Sequence, residues 1–391
     1  MAMIVAACLG ALPNANAFSE AATLTLNSGE GNLACAVFDV GSGFAYFGTD
    51  TLPGKVVKVR LSDFTQVATL ALNPDGDYLV SAVIDVGNGF AYFGTWASPG
   101  KIVKIRLSDF TEVAALTVNP GENHLVSAVI DAANGFAYFG TYTLPGKVVK
   151  VRLSDFTEVA TLTANPSEDN LVSAVIDAGN GFAYFGTGTS PGKIVKIRLS
   201  DFTQVAMLTL NSGEGALTSA VIDVWDGFVY FGTGTSPSRI VKIRLSDFTE
   251  AAALTLSSGE DRLGAAVIDA ANGFAYFGTY TSPGMIVKIR LSDFAEAATL
   301  TLSLSEDSLH SSVIDAANGF AYFGAYTIPG RVVKIDVAPS NVHIGAVGGI
   351  IQPASKSAIL GVYVAAFGVI VATLVVVALV IVPTANRKRK N

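Results

Sequence analysis

Residues 79–118 fall into four short runs dominated by β-branched and aromatic residues, and none shows the three-to-four-residue spacing of an amphipathic helix. The first run, 80–85, ends at Asn88-Gly89, a dipeptide that favours a tight hairpin. The second covers 90–95. Pro99-Gly100 follows and predicts a type II turn, with Pro pre-setting φ and Gly accepting a positive φ. The third run spans 101–107, Ser108-Asp109 makes the next turn, and the fourth spans 112–118. Four short antiparallel strands in this order make one propeller blade.

The same pattern recurs along most of the chain. Gly-Phe-(Ala/Val)-Tyr-Phe-Gly begins at Gly43, Gly89, Gly135, Gly181, Gly227, Gly273 and Gly319, always 46 residues apart. A fixed period of this size signals a solenoid or a propeller. The last unit stops after its third run, 332–337, while a fourth-run sequence stands alone at 20–26. Phe18 lies 46 residues before Phe64, so the register extends to the start of that segment. The expected fold is therefore all-β: a seven-bladed β-propeller over residues 18–338, its last blade closed by the N-terminal strand. Such closure joins the termini and removes the open edge.

These strands resemble the YVTN-type β-propeller repeat of archaeal and bacterial surface proteins. The resemblance rests on Ala91-Tyr92-Phe93-Gly94-Thr95, Val149-Lys150-Val151-Arg152-Leu153 and Val159-Ala160-Thr161-Leu162, and it covers all seven units. Phe-Gly-Thr stands where that family often has Val-Thr-Asn. The Trp-Asp ending of WD40 repeats is absent, the two tryptophans being Trp96 and Trp225. The resemblance implies a propeller and a surface setting, and it transfers no catalytic residues.

The ends read as targeting segments. Residues 1–17 combine an apolar run with Ala15-Asn16-Ala17, a small-x-small site, and are expected to be a signal peptide, though without a basic start. Residues 358–382 are 25 uncharged residues rich in Val, Ala, Ile and Leu, enough to cross ~30 Å of hydrocarbon as a transmembrane helix. Residues 339–357 make a stalk, and 383–391 form a tail whose Arg387, Lys388, Arg389 and Lys390 place it in the cytoplasm. The resulting topology is single-pass type I, with the propeller outside the cell membrane.

Charge and chemistry narrow the function. Of the net −7, the tail contributes four positive charges; the remaining 21 basic and 32 acidic residues give −11. An acidic body speaks against nucleic acid as a partner. Two cysteines and three histidines suggest neither a disulfide scaffold nor a metal site, and no cofactor is expected. Gly48 to Lys55 has the wrong spacing for a phosphate loop and leads into a strand.

Asp39 and Lys58 recur in all seven units, and the aspartates are expected as repeated turn caps or blade-to-blade ion pairs rather than a cation ring.

Positions that break the symmetry are better guides to a ligand. Before the first strands stand Asn32, Tyr78, His124, Asn170, Ala216, Arg262 and Ser308. After the second strands stand Asp50, Trp96, Tyr142, Gly188, Gly234, Tyr280 and Tyr326. Both sets belong to one face. With His310 of the last first strand they make Tyr78, Trp96, His124, Tyr142, Arg262, Tyr280, His310 and Tyr326 the candidate binding residues. Glu30, Asp75, Asp77, Glu122, Glu168, Glu214, Glu260 and Glu306 are expected to form an acidic rim around them.

Aromatic rings in such a rim suit a sugar or a cationic group on an extracellular glycan or protein partner. Loop drift with no selected ligand is the alternative. Trp225, on the opposite face, is expected to pack beside its Asp226-Gly227 turn. The expected role is non-enzymatic binding, adhesion or surface-layer structure. The rival is an extracytoplasmic lyase or dehydrogenase working in the central channel, with His124 and His310 on one substrate.

Overall fold

The seam between neighbouring blades is where this sequence buries its apolar residues, and it explains why the strands alternate as they do. In a computed structural model that describes residues 18–73 and 78–338, the inner strand of every blade alternates buried and half-buried positions, as in Leu79–Asp85. Second strands such as Phe90–Thr95 are buried on both faces after the first residue, because they lie between two other blades. One cluster joins Val37, Tyr46, Val56 and Leu72 of blade 1 to Leu79, Phe93, Val103 and Ile105 of blade 2. The same set recurs at the other seams.

All described strands fall into seven four-stranded antiparallel sheets. Blade 1 comprises Leu33–Asp39, Phe44–Thr49, Lys55–Arg60 and Thr65–Ala71. Blade 7 comprises Leu309–Asp315, Phe320–Ala325 and Arg331–Asp336, and its outer strand is Ser19–Thr25, with Thr23 opposite Val333. The closure expected from sequence is thus present, within one residue of the expected bounds. Leu26 and Leu33 pack with Val313, Tyr322 and Val332, so the closing seam has the same kind of core as the others.

Each seam also holds a lysine among aromatic rings. Lys104 Nζ lies 4.1 Å from the centroid of Phe90, 5.6 Å from Tyr92 and 5.5 Å from Phe156 of the following blade. Burial pushes the ammonium pKa down, while the Asp85 carboxylate of the same blade opposes that shift. The arrangement is a cation–π contact shared between blades. Phe18 completes it at the closing end: its ring sits 5.7 Å from Tyr276 and 5.5 Å from Lys288 Nζ.

The repeated aspartates serve as turn caps, the first of their two expected roles. Asp85 Oδ1 accepts from the Asn88 amide at 3.1 Å, and Asn88 Nδ2 donates to Asp85 Oδ2 at 2.8 Å. Gly89 takes φ 75°, which the hairpin requires. The Pro-Gly turns differ from expectation. Ser98-Pro99 and its six counterparts are cis, and Gly100 does not adopt a positive φ. The glycine serves close approach instead, since a Cβ there would stand 2.7 Å from Leu125 Cγ of the next blade, although blade 5 accommodates Ser238 at the equivalent position.

The expected acidic rim is not a rim. Glu30, Glu122, Glu168, Glu214, Glu260 and Glu306 are buried, and Asp75 and Asp77 lie outside the described residues. Glu122 Oε2 accepts from the Asn119 amide at 3.1 Å while Oε1 accepts from Thr161 Oγ1 at 2.6 Å. The carboxylate therefore folds back onto its own loop and ties it to the outer strand of the blade it enters. Glu306 does the same with Thr23 of the N-terminal strand at 2.5 Å. Trp225 also departs from expectation: the residue is 82% exposed, and its backbone amide serves the turn by donating to Asp223.

Residues 1–17 and 339–391, including the expected signal peptide, stalk, span and tail, lie outside the described residues. Among the described residues no helix is long and apolar enough to cross a membrane.

Phe18→Ala should lower stability by ~2–3 kcal/mol, because it empties one ring of the closing cage. Calorimetric melting of the variant beside Thr23→Ala, expected to lose ~1 kcal/mol, checks the ranking.

Candidate functional site

A repeated defect in the inner strands builds the floor of the site. In blade 3, Leu125 pairs with Thr141 and Ser127 with Gly140, which leaves Val126 as an extra, bulged residue. Every inner strand shifts register at this point. The seven bulged residues are Ala34, Val80, Val126, Val172, Thr218, Gly264 and His310, and all line one cavity of about 650 Å³ at the mouth of the channel. A bulge re-aims a side chain while the strands on either side stay paired. Here it turns one residue per blade into the mouth.

The walls come from the two sets of loop residues. The first set, from Asn32 to Ser308, has φ between 44° and 54° in all seven blades, a left-handed conformation that costs a non-glycine residue about 1 kcal/mol or more. Two backbone hydrogen bonds hold it there. Tyr78 donates to the Thr51 carbonyl of the preceding blade at 3.0 Å, and its own carbonyl accepts from Trp96 at 2.9 Å. Each blade thereby presents a bonded pair: Tyr78 with Trp96, His124 with Tyr142, Arg262 with Tyr280, Ser308 with Tyr326. Since the backbone does the holding, the side chains are free to vary.

Six of the eight candidate residues line the cavity: Tyr78, Trp96, Tyr142, Tyr280, His310 and Tyr326. His124 stands behind them, stacked on Trp96 at 4.3 Å and 13°. Arg262 is exposed and does not line it. The rings form two groups. On blades 6 and 7, His310 is sandwiched between Tyr280 at 3.8 Å and Tyr326 at 4.4 Å. On blades 2 and 3, Trp96 lies between His124 and Tyr142, the latter at 5.2 Å.

Asp50 of blade 1, between the two groups, accepts a hydrogen bond from the Tyr326 hydroxyl. Blades 4 and 5 carry Gly188 and Gly234 at the equivalent positions, so the aromatic wall is a crescent open on that side.

Several features of the site escape a reading of the repeats alone. Tyr280 reaches the mouth because blade 6 has glycine at its bulge. A Cβ on Gly264 would stand 1.5 Å from Tyr280 Cε1, so the tyrosine occupies the space that Val80, Val126 or Val172 fills elsewhere. The pairing of a missing side chain with a large one 16 residues later was the signal in the sequence. Leu52, Leu144 and Ile328 are exposed on the cis-proline loops of blades 1, 3 and 7, where blades 2, 4, 5 and 6 have serine.

Burial sets the protonation of the stack. It pushes the His310 imidazole pKa down to about 4, so the ring is neutral at physiological pH. Burial likewise pushes the Tyr280 hydroxyl well above its ordinary range, and burial followed by the Asp50 carboxylate does so for Tyr326. Among the described residues no group of three His, Cys, Asp or Glu side chains is placed to hold a metal ion.

No protein-family model matches this chain. No curated protein matches it either. Among solved structures 1687 chains match, so the architecture by itself selects no function. One is U3-55K, with a TM-score of 0.65 at 9% identity, covering 81% of this chain and 99% of that one. The chain has the seven-bladed propeller fold. At this identity the likeness extends to the fold alone.

Two outcomes test the site's construction. Because the folded pKa of His310 lies below that of an unfolded histidine near 6.5, its contribution to stability is complete above about pH 6.5. That contribution is lost as pH falls toward 4, on the order of 3 kcal/mol in all. Thermal melts at pH 7.5, 5.5 and 4 should show this loss, and His310→Phe should shrink it. Gly264→Val should expel Tyr280, seen as one more tyrosine titrating near its ordinary pKa of ~10 in an ultraviolet titration.

Proposed function

We propose that the chain is a membrane-anchored cell-surface propeller, similar to YVTN-type surface proteins, which binds an extracellular ligand or partner through the aromatic mouth without catalysing a reaction. The observation that carries this reading is the convergence of six symmetry-breaking side chains on one cavity. The scaffold repeats seven times, yet the rings gather on blades 6, 7, 2 and 3, with Asp50 of blade 1 between them, and leave blades 4 and 5 bare. Scaffold positions do not need such asymmetry, whereas a ligand without seven-fold symmetry does. The exposed Leu52, Leu144 and Ile328 extend the apolar surface on the same arc, as a recognition face would.

The surface setting draws on the leader-like residues 1–17, the uncharged stretch 358–382 and the basic end that follows. The enzymatic rival needs two imidazoles on one substrate. Only His310 lines the cavity, with each face against a tyrosine, while His124 backs Trp96 from behind.

Soluble residues 18–340 displayed to glycan and protein arrays should yield a ligand whose affinity falls at least tenfold in the Tyr142→Ala, Tyr280→Ala and Tyr326→Ala variants. Binding that survives all three substitutions would remove the mouth from the proposal. Protease protection of the C-terminal tail in intact cells, with the propeller accessible, tests the topology.

A further inference from the structure

We propose that the mouth recognises a small organic cation, its ammonium group seated beside Asp50 among the flanking aromatic rings. This rests on the reading of the mouth as a recognition site and adds the chemical class of its ligand. Among the described residues lining the cavity, Asp50 is the one carboxylate, and neither lysine nor arginine contributes. The rest of the wall is chiefly aromatic, and its one imidazole is held neutral by burial. Aromatic faces carry negative charge density, so rings and carboxylate act in the same direction on a cation, and both strengthen where water is excluded.

Other ligand classes fit this wall less well. An anion would face Asp50 with no opposing charge. A neutral sugar would gain stacking, but its hydroxyls need several polar partners, and each one buried without a partner carries a penalty. The Asp50 oxygen that accepts from Tyr326 is already engaged, and the floor is Ala, Val, Gly and one Thr beside His310.

An alkylated ammonium suits the site better than a bare one, since its methyl groups bury against the rings and need no hydrogen bonds. The cavity of about 650 Å³ exceeds such a head group, so the ligand carries more than its cationic end. The gap at Gly188 and Gly234 leaves space for that remainder on the side away from Asp50.

The protein supplies its own probe. It has two tryptophans, Trp96 in the wall and Trp225 exposed on the opposite face, so Trp225→Phe leaves a single reporter at the site. Full-length Trp225→Phe protein in a polyoxyethylene detergent, which carries neither sugar nor ammonium, is titrated with choline chloride and tetramethylammonium chloride. Sodium chloride provides the ionic-strength control, 3,3-dimethylbutan-1-ol is the neutral counterpart of choline, and methyl glucoside and methyl mannoside are the sugars.

A saturable fluorescence change with both cations is expected, with the neutral alcohol at least tenfold weaker. Asp50→Asn, which keeps an oxygen for the Tyr326 hydroxyl, should weaken choline about tenfold. Equal response to alcohol and choline, or no change in a folded Asp50→Asn protein, overturns the proposal. If that variant does not fold, the alcohol comparison on the parent decides. Saturation by a sugar and not by the cations overturns the cation and leaves the recognition site standing. No response to any probe also overturns the cation, while the array experiment above decides on the recognition site separately.

Discussion

Seven ammonium groups, each held among aromatic rings, mark the seams on which the ring depends. A propeller blade has no core of its own; it buries its faces only against its neighbours, so the quality of the seam decides whether the structure closes. In the seam between blades 2 and 3, Lys104 sits over Phe90 while Phe156 arrives from the next blade, so one charge engages both sides at once. The lysine also keeps Asp85 within electrostatic reach, and Asp85 caps the hairpin that begins the second strand. Seam, turn and strand register are thereby coupled inside every repeat.

Closure uses the same parts. The N-terminal strand supplies the ring of Phe18 to Lys288 and the hydroxyl of Thr23 to Glu306, the contacts that Phe64 and Thr69 make in blade 1. The chain's first described residues therefore belong to the last blade in every interaction that matters to it. No special device marks the join.

Most of this was legible from the amino acids because it is periodic. The 46-residue interval, the unpaired fourth run at the start and the unfinished last unit together imply the ring and its closure. The face carrying the site was legible for the opposite reason, since Tyr78, Trp96, Tyr142, Tyr280 and Tyr326 break the repeat. What stayed hidden was tertiary. Glu122 looks like a solvated loop acid until Thr161, 39 residues on, is seen to donate to it. Pro99-Gly100 spells a common turn, yet the glycine answers to Leu125 of the next blade and not to its own φ. Nor do the bulges announce themselves, because a bulged Val126 and a paired one read alike. Arg262 passed the asymmetry criterion, but its side chain leaves the mouth, since sequence position fixes a face and not a direction.

The inner-strand bulge separates what the protein must keep from what it is free to change. Seam residues answer to neighbours on both sides, so altering one disturbs two blades. The bulged residue and its bonded loop pair are anchored by main-chain contacts, and most of their side chains face the channel mouth rather than a seam. Seven such addresses, set apart from the seams, line the mouth of the channel. In principle one propeller differs from the next by which addresses are filled, as blades 4 and 5, left nearly blank, already illustrate.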